Sequence, residues 1–249
     1  MGRIQYVGHA TVFVDLDGVR LLTDPLLRNR VAHLRRVAPV PARTRRGVDA
    51  VLISHAHYDH LDLPSLEKLG KKLPVVVPKG LGALLRKRKF EAVVEVEEGE
   101  KLTIGDLEVL AVHAEHHANR GVPFGASAEP IGYVVSGSKS VYFAGDTELF
   151  DGMRELGPVD VGLIPIWGWG PGLGGGGHLD PDGAAEAAAR IQPQLVIPIH
   201  WGTYFPIHLG LRGAPGFVEL PPTTFRAAMA ERAPQIPYEI LLPGDSLDL

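Results

Sequence analysis

Residues 55–60 read His55-Ala56-His57-Tyr58-Asp59-His60, three imidazoles and a carboxylate within six positions of a chain that holds 11 histidines in 249 residues. Neutral imidazole and carboxylate are the donors that borderline divalent ions accept, so the segment predicts a metal site. Two neighbouring ions need more donors than one segment can offer. His116, Asp146, His178 and His200 can supply them, since each stands at or just past the end of a strand-like run. Cysteine is absent, which excludes thiolate ligands, a thiolate nucleophile and disulfides.

These donors need rigid mounts, and the chain reads as alternating strands and helices. Strands are expected at Ile4–Val7, Thr11–Leu16 and Val19–Thr23, the last two joined by the hairpin signal Asp17-Gly18. The run Val51–Ser54 is a buried strand that delivers the histidine loop. Asp62 then caps a helix over Pro64–Leu69, with Pro64 tolerated in its first turn. Val75–Val77 and Ala92–Val96 are strands around a helix at Leu81–Arg88. Hairpins follow at Lys101–Ile104/Leu107–Val112 and Ile131–Ser136/Ser140–Ala144. Val161–Pro165 and Leu195–Ile199 are buried strands around the clearest helix, Pro181–Ile191, capped by Asp180. Hairpins mixed with βα units argue against a purely parallel sheet and predict two face-to-face sheets with helices outside, over residues 1–249 as a single domain.

Composition sets the outer limits. With 45% hydrophobic residues and 25 basic against 29 acidic groups, the formal charge is −4, so a soluble globule with no general nucleic-acid footprint is expected. Met1-Gly2-Arg3-Ile4 lacks the apolar region of a signal peptide, and no stretch nears 18 apolar residues. A cytoplasmic protein without stable membrane insertion is therefore expected. Nothing in the chain fixes its oligomeric state.

Six segments taken together carry a resemblance: Gly8-His9-Ala10-Thr11, Thr23-Asp24-Pro25, Ser54 through Asp62, Gly145-Asp146-Thr147, His178-Leu179-Asp180-Pro181 and His200-Trp201-Gly202-Thr203. They resemble the metallo-β-lactamase superfamily, within it the branch of N-acylphosphatidylethanolamine-hydrolysing phospholipase D and the ascorbate-6-phosphate lactonase-like hydrolases. The resemblance implies an α+β fold, a four-layer αββα sandwich of two mixed sheets, with a two-metal site where their loops meet. It also implies His55, His57 and His116 on a first ion, Asp59, His60 and His200 on a second, and Asp146 bridging both. His113 and His117 flank His116 and are its competitors. The bridging role suits a carboxylate, whose two oxygens can span ions about 3.5–4 Å apart. Zinc is the foremost ion, although manganese, iron or nickel suit the same donors.

Two divalent ions keep such a centre positive after Asp59, Asp146 and a bridging hydroxide are counted, so it can activate water and stabilise charge on a phosphoryl or acyl oxygen. Asp59, Asp146 and His178 are the expected catalytic residues, with His178 placed toward substrate between the glycines 174–177 and a capped helix. Ser54 lacks an elbow pattern and reads as structural. His9, Asp24, Trp167, Trp169, Trp201 and Tyr204 are expected to contact substrate or to support the donors, Asp24 by orienting a metal-bound imidazole. Between positions 28 and 46 stand seven arginines and no acid, which favours a small anionic or amphiphilic substrate, foremost a phosphodiester or other phosphorylated molecule. The alternatives are a lactonase or other ester hydrolase and a non-catalytic metal-binding module. An oxygen-reducing diiron protein is disfavoured by His57.

Overall fold

Asp17 and Gly18 both adopt left-handed backbone in the computed structural model of the protein, φ 53° and 83°, the turn whose twist matches that of paired strands. Around that turn β1 (Gly2–Gly8), β2 (Thr11–Leu16) and β3 (Val19–Thr23) pair antiparallel. The structure describes residues 2–41, 46–117, 127–168, 177–209 and 214–249. Two short strands, β4 (Arg30–Val31) and β5 (Leu34–Arg36), lie within the arginine-rich stretch that follows β3. Next, β6 (Ala50–Leu52), β7 (Val75–Pro78) and β8 (Val93–Val96) run parallel to β3, with α1 (Leu63–Leu69) and α2 (Gly82–Lys87) as their crossovers.

The second half repeats this plan. β9 (Lys101–Ile104), β10 (Leu107–His113), β11 (Ile131–Ser136) and β12 (Ser140–Phe143) form an antiparallel ladder. β13 (Val161–Pro165) and β14 (Leu195–Ile199) extend it in parallel, joined through α3 (Pro181–Ile191). Then come β15 (Tyr204–Pro206), α4 (Ala214–Arg232) and β16 (Ser246–Asp248). The seven-stranded sheet has the order β16-β1-β2-β3-β6-β7-β8, the six-stranded sheet β14-β13-β12-β11-β10-β9, and a small third sheet β15-β5-β4. Both large sheets are mixed, as expected.

Period-two alternation decides which side chains fill which layer. Val12, Val14 and Leu16 of β2, with Ala50, Leu52 and Val76, share one buried cluster with Val109, Ala111, Tyr133 and Val135 of the second sheet. Their neighbours turn the other way: Val51, Val75 and Val77 pack with Leu63 and Leu66 of α1 and Leu85 of α2. On the far side of the second sheet lie α3, through Ala184, Ala187, Ala188 and Ile191, and α4, through Phe225 and Met229. The result is the αββα order of layers. No helix of the described residues is long and apolar enough to cross a membrane.

Two helix starts follow the capping rule. Asp62 accepts from the amide of Ser65 and Asp180 from that of Gly183, and each helix has proline in its first turn. α4 runs through Pro221 and Pro222.

Candidate metal centre

The first-sheet strands β1, β3 and β6 end at Gly8, Thr23 and Leu52, and just beyond them stand His9, Asp24 and the histidine loop 55–60. The second-sheet strands β10, β12 and β14 end just before His116, Asp146 and His200. Six strand ends from two sheets thus deliver their next residues to one place. The backbone is bent to do so. His9, Asp24 and His200 hold left-handed φ values of 60°, 32° and 63°, conformations that non-glycine residues avoid and that cluster where surrounding structure enforces them. The enforcement is visible: the His200 amide donates to the His9 carbonyl at 2.8 Å, and the His9 amide to Thr203 Oγ1 at 2.8 Å. Gly145, with φ 63°, brings Asp146 in so closely that a Cβ at 145 would stand 2.5 Å from Ser54 Cβ.

Two groups of donors result. His55, His57 and His116 form one, with His116 Nε2 3.2 Å from His57 Nδ1 and the His55 ring 4.7–4.8 Å from the other two. Asp59, His60 and His200 form the other, together with His9. Asp146 lies between them: its Oδ2 is 3.1 Å from His60 Nε2 and 3.9 Å from His55 Nε2, and its Oδ1 is 3.3 Å from His200 Nε2. His178 Nε2 stands 3.2 Å from the same Oδ2.

The outer nitrogens of the rings are already engaged. His60 Nδ1 donates to Asp24 at 2.7 Å and His200 Nδ1 to the Trp167 carbonyl at 2.8 Å. His116 Nδ1 donates to the Gly177 carbonyl. Ser54 Oγ donates to Asp24, so it can accept from His55 Nδ1 at 2.9 Å. Each of these contacts places the ring proton on the outside and leaves an Nε2 lone pair facing inward, the arrangement that raises imidazole's strength as a ligand. His57 alone offers Nδ1.

A metal fits what remains. His55 Nε2 and Asp146 Oδ1 are buried without a hydrogen-bond partner among the described residues, a costly state for polar atoms unless something else binds them. Tetrahedral ligands about 2.0–2.1 Å from a zinc ion lie about 3.3 Å from one another. The contacts of 3.1, 3.2 and 3.3 Å across the cluster have that spacing.

Electrostatics point the same way. Burial holds His55 well below the usual imidazole range, His57 at about 4 and His200 at about 3, and it lowers His116, so these rings stay neutral. His60 is the exception: burial opposes its charge, but Asp146, Asp59 and Asp24 overcome that and raise it. Asp59 and Asp146 are held well below the usual carboxylate range, because neighbouring histidines outweigh the burial that works against ionisation.

The structure therefore brings together His55, His57, Asp59, His60, His116, Asp146, His178, His200, His9 and Asp24. Of the three competing histidines, only His116 is in the cluster. His113 is paired with Glu98 at 2.9 Å, and His117 is exposed. His9 has a definite task, its Nε2 holding Asp59 Oδ2 at 3.0 Å while its ring lies 3.9 Å from that of His200. Of the aromatics expected to contact substrate or to support the donors, Trp201 and Tyr204 are each 3% exposed, and their polar atoms bond inward to the carbonyls of Pro198 and Arg28, bracing the loops. Trp167 is half-buried and acts through its carbonyl, while Trp169, Arg43 and Arg45 lie outside the described residues.

The arginine stretch divides as well. Arg36 is buried, its guanidinium donating to the carbonyls of Val7, Leu26 and Ala38, and Arg28 is paired with Asp62. Neither role is legible from the sequence, since the partners of Arg36 are backbone atoms far along the chain. Ser54 and Thr203 were also not singled out as supports. Their place beside His55 and in the His200-Trp201-Gly202-Thr203 run is the signal that was available.

Comparison with known proteins agrees with this arrangement. Residues 19–201 match the Beta-lactamase superfamily domain. A UPF0173 metal-dependent hydrolase of Methanopyrus kandleri is 32% identical over 99% of both chains. The N-acyl-phosphatidylethanolamine-hydrolyzing phospholipase D 1 of Caenorhabditis elegans is 31% identical over 80% of this chain and 63% of its own length. The chain spans 59% of the length of an uncharacterized Mycobacterium tuberculosis protein, 30% identical to it. A possible metal-dependent hydrolase from Veillonella parvula shares the fold over the whole of both chains, at a TM-score of 0.79 and 17% identity. The chain belongs to the beta-lactamase superfamily and has the metallo-β-lactamase fold.

Proposed function

We propose that the protein is a metal-dependent hydrolase with two ion sites, His55, His57, His116 and Asp146 at the first and Asp59, His60, His200 and Asp146 at the second. The observation that carries this reading is the inward convergence of donor atoms whose outer nitrogens are already bonded, with buried His55 Nε2 and Asp146 Oδ1 lacking a hydrogen bond among the described residues. Bound there, two divalent ions, zinc foremost, supply a hydroxide nucleophile at neutral pH and positive charge for the developing oxyanion. The chain's own residues do the rest. Asp24, Ser54, Trp167 and Gly177 orient the imidazoles, and His9 orients Asp59. His178 is partly exposed beside Asp146, where it can contact a substrate oxygen or pass a proton to a leaving group.

A phosphodiester or other phosphorylated small molecule is the substrate class we favour. The likeness to a phospholipase D and the acid-free arginine stretch support it. A lactone or other ester is the second reading, favoured by the internal engagement of Arg36, which removes one of the seven arginines from substrate. Two measurements test the proposal. Elemental analysis after dialysis should find about two ions per chain, with Asp146→Ala weakening both and Asp59→Ala sparing the first. A parallel screen of phosphodiesters, phosphomonoesters, sugar-phosphate lactones, neutral lactones and β-lactams should find turnover of a phosphorylated compound that Asp146→Ala abolishes. A maximum of one ion under metal-replete conditions overturns the two-ion arrangement, and faster turnover of neutral lactones overturns the substrate class.

A further inference from the structure

The cations of this net acidic chain are not spread evenly. Seven arginines and no acid stand between 28 and 46, and eight lysines and arginines and no acid between 68 and 89. The fold brings the two stretches together at one open cleft of about 550 Å³, lined by Arg28, Asn29, Arg30 and Lys68, with Pro39 and Val40 beside them. Four other cations of the second stretch are neutralised. Lys71 and Arg88 share Glu67, Arg86 pairs with Glu95, and Lys79 with Glu97. At the cleft, Arg30 and Lys68 are exposed and have no carboxylate partner among the described residues. Arg28 differs in kind: Asp62 receives both its Nε and its Nη2, which fixes the plane of the guanidinium and leaves Nη1 for another acceptor.

We propose that this cleft binds the phosphate group of a small ligand through Arg28, Arg30 and Lys68. A preoriented guanidinium flanked by two unpaired cations suits a dianion with several acceptor oxygens, and a volume of this size holds a phosphate with a modest organic group attached. A polyanion would need a continuous row of unpaired cations, which the glutamates at 67, 95 and 97 interrupt. The cleft is also tied to the metal centre. The Tyr204 hydroxyl donates to the Arg28 carbonyl, and its ring meets that of His9 edge-on at 5.6 Å. The proposal deepens the phosphorylated-substrate reading and rests on it for the ligand's identity, but binding can be measured without turnover.

The test is calorimetric titration of inorganic phosphate into the metal-loaded full chain and its Arg30→Gln/Lys68→Gln variant, whose changes lie at exposed positions. The expected result is a loss of phosphate affinity of about tenfold or more, with metal content and hydrolysis of any neutral ester unchanged. With a phosphorylated substrate, the variant should raise KM and leave kcat in place. A parallel arm measures binding to phosphatidylcholine vesicles with and without phosphatidic acid. Loss with soluble phosphate assigns the site to a free phosphorylated molecule, and loss confined to phosphatidic acid assigns it to a lipid headgroup. Affinities within about twofold of the parent protein in both arms overturn the proposal. So does phosphate binding that survives in the double variant but disappears in Asp146→Asn, because the anion then sits on the metal ions. If phosphate binds as expected but no compound in the hydrolysis screen turns over, the substrate reading fails and the cleft stands.

Discussion

Asp24→Asn replaces one oxygen in a buried carboxylate, and its effect can be worked through atom by atom. Asp24 Oδ1 accepts from the Ser54 amide at 2.8 Å, while Oδ2 accepts from Ser54 Oγ and from His60 Nδ1 at 2.7 Å. An asparagine has one acceptor and one donor for these two positions. If its amide nitrogen takes the Oδ1 position, it meets the Ser54 N–H, donor against donor in the interior, at a cost of about 1–3 kcal/mol to the fold. If it takes the Oδ2 position, it meets His60 Nδ1–H. That ring must then move its proton to Nε2 and cease to offer a lone pair inward. The second arrangement keeps the fold and loses a ligand. A hydrogen bond to a charged group contributes about 1.5–3 kcal/mol, so affinity at the second ion site should fall by about 10- to 100-fold.

The first site provides the internal control. Among the described residues its hydrogen-bonded link to Asp24 runs through Ser54 to His55, one bond further away, so its affinity should fall by less than about fivefold. Competition against a chromophoric chelator, titrating zinc into metal-free protein, separates the two steps. Equal losses at both sites, or an unchanged second step together with an unchanged Tm, would refute the assignment of Asp24 as the group that orients His60. Melting of the metal-free protein completes the test, since a large drop in Tm with normal metal affinity would mean that asparagine adopted the first arrangement.

Three further predictions come from the same structure. Gly145→Ala should lower metal affinity at both sites, because a Cβ 2.5 Å from Ser54 Cβ on a φ of 63° must displace Asp146 or Ser54; chelator competition with both sites unchanged refutes it. Tyr142→Phe should be neutral or stabilising by up to about 1 kcal/mol in urea unfolding, since its hydroxyl is buried without a hydrogen-bond partner among the described residues; a loss above about 2 kcal/mol refutes it. Stability should also decline in alkali. Burial raises the Tyr6 phenol from 10.0 to about 12 and raises Tyr133 and Tyr142 as well. A raised folded-state value means the contribution is whole below pH 10 and is lost as pH climbs through about 12, a change on the order of 3 kcal/mol for Tyr6 alone. Unfolding free energies that stay level over that range refute it.

Much of this arrangement is local in sequence and some of it is not, and the division follows the physics of each signal. A cap, a turn and a buried strand act over four to eight neighbouring residues, so β13 and α3 fall on the expected bounds, and the Asp17-Gly18 hairpin is where its turn chemistry places it. His55 through His60 announce a metal site because the donors are contiguous. His116 needed more, since three histidines lie within five positions and strand alternation cannot separate them. What separates them is the Gly177 carbonyl, which arrives from another part of the chain to take His116 Nδ1, while Glu98 takes His113. Arg36 shows the other limit. An arginine among arginines reads as surface charge, yet its guanidinium closes the carbonyls of Val7, Leu26 and Ala38, three backbone groups that no residue type encodes. The basic stretch was therefore legible as charge but not as geometry. With Arg36 assigned its backbone partners and Arg28 held by Asp62, Arg30 and Lys68 stand at one cleft without a carboxylate partner among the described residues, a meeting of two distant segments that only the fold shows.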